Sequence, residues 1–110
     1  MDAFTVRRIE KILQWYIGQK IPLRMRSSVR LAYEWEGTNL TLCEERPDQR
    51  YREWIGLPIV QFRFLQDKWH VYAISKKGTW ESPATIKPHE DFERQLELVE
   101  LDREGIFWTA

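Results

Sequence analysis

The chain of 110 residues has little of what staples, breaks or stretches a small fold: one cysteine, five prolines and five glycines. Cys43, being alone, forms no intramolecular disulfide and supplies no cysteine framework for zinc, which fits a reducing, cytoplasmic setting. No run approaches the roughly 18 apolar residues of a spanning helix, so no membrane association is expected. Met1–Thr5 lacks the basic start and apolar run of a signal peptide. Charge of one sign is also missing, since seventeen basic and seventeen acidic side chains cancel. Bulk attraction to nucleic-acid phosphates is therefore not expected, and only a local patch could provide it. Repeats, low-complexity tracts and linkers are absent, which predicts one domain over 1–110.

The chain does hold six tryptophans and an apolar fraction of 43%, enough for one core without a metal or disulfide framework. Large rings of this kind fill a core, an interface or a stacking surface. Ile9, Ile12, Leu13, Tyr16 and Ile17 recur at helical spacing and predict an amphipathic helix over 4–17. Asp2 or Thr5 would cap it and Gly18 would stop it. Arg7, Arg8 and Lys11 fall on its polar side, with Trp15 off the apolar stripe.

From Val29 the period changes to two, and Gly37-Thr38 suits a tight hairpin turn. Counting outward from that turn pairs Trp35 with Leu40, Tyr33 with Leu42, Leu31 with Glu44 and Val29 with Arg46. The other face pairs Glu34 with Thr41, Ala32 with Cys43 and Arg30 with Glu45, an opposite-charge pair. The segment 46–56 reads as turn-rich, and strand character resumes at Pro58. A turn at Asp67-Lys68 puts Val60, Phe62, Phe64, Trp69, Val71 and Ala73 on one face. Lys77-Gly78 marks another hairpin, leading to a short strand at Trp80. Pro88-His89-Glu90-Asp91 reads as the start of a second helix ended by Gly105, with 106–108 docking back onto the body. The expected fold class is α+β, an antiparallel meander sheet of four to five strands with an N-terminal and a C-terminal helix packed on one face.

Chemical motifs are scarce. His70 and His89 fall at no ligand spacing, so no metal site is predicted. No serine sits in a nucleophile elbow, Cys43 falls mid-strand beside Ala32, and no glycine-rich phosphate loop exists. No catalytic residue and no cofactor are therefore assigned. Glu44 and Arg46 are the exception, because the register puts both charges on an otherwise apolar face. A carboxylate there must be paired, hydrogen-bonded or shifted in pKa.

The chain also resembles a bacterial family catalogued as domain of unknown function number 3024. The likeness is carried by Arg8-Ile9-Glu10, by Leu42-Cys43-Glu44-Glu45-Arg46-Pro47 and by Trp69-His70-Val71-Tyr72. It continues through Lys77-Gly78-Thr79-Trp80 and the closing stretch 98–108, whose Asp102…Gly105-x-Phe107-Trp108 pattern is among its more specific parts. It departs at Thr109, where the family often has glycine. The resemblance implies a single intact domain and no particular chemistry.

The preferred functional reading is a non-enzymatic binding or interaction module, its site formed where Glu44 and Arg46 meet Trp69, Tyr72, Trp80 and Trp108. The occupant would be a small ligand, a protein or nucleic acid. One alternative is nucleic-acid binding through Arg7, Arg8, Arg24, Arg26 and Arg30, with Trp15, Arg63 and Tyr72 as flat surfaces. Another is a metal-dependent nuclease or hydrolase using Glu10, Glu44 and Glu45. Leu98, Leu101 and Trp15 are candidate contacts for a homodimer.

Overall fold

The computed structural model describes residues 1–50 and 52–108. The elements run α1 (Ala3–Lys20), a short 3-10 turn (Leu23–Met25), β1 (Arg30–Glu36), β2 (Asn39–Asp48), β3 (Glu53–Leu65), β4 (Lys68–Ile74), β5 (Trp80–Glu81) and α2 (Phe92–Leu101). The strands form one antiparallel sheet in the order β1-β2-β3-β4-β5, the expected α+β meander with a helix at each end. The chain divides into two compact units, one of residues 1–32 and 44–57, the other of 33–43 and 58–110.

In the first unit, α1 buries Ile9, Leu13 and Tyr16, three members of the predicted stripe. Asp2 caps the helix, its Oδ1 accepting from the Thr5 N–H at 2.7 Å. That N–H bond lowers the Asp2 carboxyl pKa. The helix does not stop at Gly18 but runs to Lys20, and nothing lies within 4 Å of where a Gly18 Cβ would stand. A glycine inside a helix costs only about 1 kcal/mol. The β1–β2 turn, which belongs to the second unit, is Gly37-Thr38, as expected, with Gly37 at φ 62°. The predicted pairing of Arg30 with Glu45 is present as a 2.6 Å ion pair.

The segment 46–56 is mostly strand rather than turn: β2 continues to Asp48 and β3 begins at Glu53. Pro47 and Pro58 therefore lie within strands. Ile59 and Val60 are both buried, so the alternation of β3 changes phase there. Proline is tolerated in strands where regular pairing is interrupted, and Pro58 stands beside this phase change.

In the second unit, Val60, Phe62 and Phe64 oppose Ala73, Val71 and Trp69 across β3 and β4. The predicted face is kept, but the turn is Gln66-Asp67 rather than Asp67-Lys68. The one-residue slide puts Phe64 directly opposite Trp69, with ring centres 4.9 Å apart. Such aromatic cross-strand pairs favour one register over another.

Helix α2 starts later than expected, at Phe92. Asp91 is its cap, accepting from the Glu93 N–H at 3.1 Å. His89 instead makes a backbone bridge to Trp69, with N···O distances of 2.6 and 3.2 Å. Helix α2 packs against β4. Gln95 is fully buried there, and its Nε2 donates to the carbonyls of Trp69 and Lys87, both at 2.9 Å.

The helix ends on Asp102, which adopts the left-handed conformation at φ 44°. Its carboxylate accepts from the N–H groups of Ile106 at 2.8 Å, Phe107 at 3.2 Å and Trp108 at 2.9 Å. The Trp108 Nε1–H donates to the Val99 carbonyl at 3.1 Å, so the tail folds back as expected and buries Phe107. The closing motif of the sequence is thus a latch built on one carboxylate.

Desolvation raises the Asp102 pKa, but N–H donors from Trp108, Ile106, Phe107 and Gly105 outweigh it and hold the group below its ordinary 3.8. A depressed carboxyl stabilises the fold above its unfolded pKa, and that contribution fades as pH falls through the folded value. Asp102→Asn tolerates the left-handed backbone but loses the charge. The expected result is a loss of roughly 1–3 kcal/mol at neutral pH, with a smaller further loss below about pH 4 than in the parent. Urea titrations at pH 7 and pH 3 read both effects.

Candidate functional site

Glu44 and Arg46 are separated by two positions on β2, so they share a face, and they pair with each other at 2.7 Å from Arg46 Nε to Glu44 Oε1. The Glu44 side chain is 28% exposed and that of Arg46 66%. The pair therefore lies at the surface, where ion pairs add only about 0–1 kcal/mol. Beside it is a groove of about 340 Å³ lined by Glu44, Arg46, Pro47, Asp48, Ile55 and Leu57. Ile55 is 49% exposed and Leu57 65%, large aliphatic side chains left in water. The reading of 46–56 as turns hid Ile55, and the start of strand character at Pro58 left out Leu57; the signal was Trp54-Ile55-x-Leu57, interrupted by Gly56 and Pro58.

The aromatic residues expected at this pair belong to the second unit and have separate tasks. Trp69 is 2% exposed and packs edge-on against Phe92 at 5.1 Å. Tyr72, on the opposite face of β4, carries the Arg63 guanidinium 4.0 Å above its ring. Trp80 pairs with Ile74 in the short β5, and Trp108 is bound to Val99. Of the expected site, Glu44 and Arg46 are joined directly to each other.

The basic candidates divide. Arg30 is committed to Glu45 and also stacks on Trp54, its guanidinium carbon 3.9 Å from the ring centre. Arg26 donates to the Ile21 carbonyl at 3.4 Å, and Arg24 is exposed in the 3-10 turn. Arg7 and Arg8 are exposed on α1 and line a shallow cavity with Phe4, Lys11 and Ile12.

The acidic candidates do not gather. Glu44 and Glu45 are consecutive on a strand and point to opposite faces, each bound to a different arginine. Among the described residues no group of three or more His, Cys, Asp or Glu side chains could hold a metal ion. His89 Nδ1 accepts from the Asp91 N–H at 2.9 Å, and His70 Nε2 lies 3.3 Å from the Leu65 carbonyl. Every buried side-chain nitrogen or oxygen among the described residues has a partner. No helix there is long and apolar enough to cross a membrane.

A family model described as a domain of unknown function, DUF3024, matches residues 1–109. The chain belongs to the DUF3024 family. No curated protein and no solved structure matches it. The segments that carry the family likeness have visible physical tasks in this DUF3024 chain. Glu44-x-Arg46-Pro47 forms the surface ion pair of the groove, and Asp102 with Phe107-Trp108 forms the C-terminal latch.

The exposure of the Glu44–Arg46 pair sets an expectation for Glu44→Gln. Its unfolding free energy falls by less than about 1 kcal/mol in urea titration. A loss above about 3 kcal/mol would instead mark the carboxylate as part of the buried framework.

Proposed function

We propose that this DUF3024 chain is a non-enzymatic binding module, and that the groove beside Glu44 and Arg46 receives an apolar side chain of a partner protein. The observation that carries this reading is the exposure of Ile55 and Leu57 next to a neutralised ion pair. Aliphatic walls would take the side chain, and Arg46, two-thirds exposed with its Nε on Glu44, would take a carbonyl of the partner's backbone. Catalytic readings have less support, because the carboxylates they need are split between two strand faces.

N-acetyl-leucine amide is a minimal mimic of such a partner. At about 0.3 kcal/mol per heavy atom its expected Kd is on the order of 1–10 mM. An NMR titration should move the amide signals of Arg46, Ile55 and Leu57, and Leu57→Ser should abolish the shifts while leaving the melting temperature unchanged. Shifts confined to other residues, or none at saturating probe, would overturn the groove as the contact site.

A further inference from the structure

The groove accounts for only part of the exposed apolar surface; α1 exposes two large rings, Phe4 and Trp15. That helix buries Ile9, Leu13 and Tyr16, so its opposite side faces outward. At about 100° per residue, Phe4, Arg8, Lys11 and Trp15 fall within a sector roughly 60° wide on that outward side, with Arg7 and Ile12 flanking it. Phe4 is 81% exposed and Trp15 69%, among the highest values for large apolar side chains in the protein. Phe4, Arg7, Arg8, Lys11 and Ile12 line a shallow cavity that contains three cations and no acid. A chain with no net charge has here a patch of one sign, framed by two rings.

We propose that this outward face of α1 binds single-stranded nucleic acid. Phosphates are the complement of Arg7, Arg8 and Lys11, and the open faces of Phe4 and Trp15 suit unstacked bases. The rings are about 16 Å apart along the helix, room for a few nucleotides with their backbone over the cations between. Duplex is a poorer fit, because its bases stack on one another and leave the rings without partners. A second copy of the chain would bring like charges together. An anionic bilayer would want a continuous apolar strip to bury, whereas the apolar stripe of α1 is already inside the protein and the exposed rings are separated by charges.

Fluorescence anisotropy of a labelled oligothymidylate at low salt tests the proposal on the intact chain. Binding is expected to weaken steeply as salt rises. Trp15→Ala should weaken it about five- to hundredfold, the effect of one lost base stack. Arg8→Glu with Lys11→Glu should weaken it and flatten the salt dependence. These side chains are exposed, so circular dichroism melts of the variants should match the parent, and Leu57→Ser in the groove should bind the oligonucleotide normally. The proposal is overturned by absence of binding at low salt, by equal affinity for duplex, or by undiminished binding of Trp15→Ala. Capture of phosphatidylserine vesicles without binding of the oligonucleotide, or self-association that Trp15→Ala abolishes, would overturn it in favour of a membrane or a homodimer.

Discussion

The second unit depends on Trp69. Its ring is buried against Phe64 on the neighbouring strand and Phe92 at the start of α2, at 4.9 and 5.1 Å. Its peptide group is engaged on both sides: the N–H donates to His89, and the carbonyl accepts from His89 N–H and from the Gln95 side chain. One residue thus joins the β3–β4 hairpin, the loop before α2 and α2 itself. Leaving a buried carbonyl unpaired costs about 1–3 kcal/mol, so Gln95 cannot be exchanged for an aliphatic residue without consequence. The fit also explains the hairpin turn, where Gln66 and Asp67 accept positive φ so that Phe64 stands opposite Trp69.

Much of this was legible in the sequence where one physical requirement dominated. The α1 stripe, the Gly37-Thr38 turn and the Arg30–Glu45 pairing follow from periodicity and glycine chemistry alone. The start of β3 was not legible, because Gly56, Pro58 and the phase change at Ile59–Val60 break the alternation that identifies strands. Pro88 suggested a helix start, but the peptide of His89 pairs with Trp69 and delays the helix to Phe92. Gln95 was not singled out, since nothing local reveals that two carbonyls converge on it. The site showed the same division. The Glu44–Arg46 pair was readable from register, whereas Ile55 lay in the misread segment and Leu57 just before the expected strand start.

The six tryptophans illustrate how the fold sorts chemically equal residues. Trp69 is core, Trp108 closes the C-terminal latch through Val99, and Trp54 lies beneath Arg30. Trp15 alone among them is more than one-third exposed among the described residues. Polar groups are sorted likewise. Glu44, Glu45, Gln95 and Asp102 each hold a structural bond, and His89 accepts from the chain ahead of α2. The polar groups named here are thus engaged in holding the fold, while Trp15 presents its ring to solvent.

The indole N–H signals of the six tryptophans report on these environments separately in one NMR spectrum. Adding single-stranded oligonucleotide should shift the Trp15 indole signal and leave those of Trp69 and Trp108 in place. A shift of the Trp69 or Trp108 signals with Trp15 unmoved would contradict the account and put recognition elsewhere in the protein.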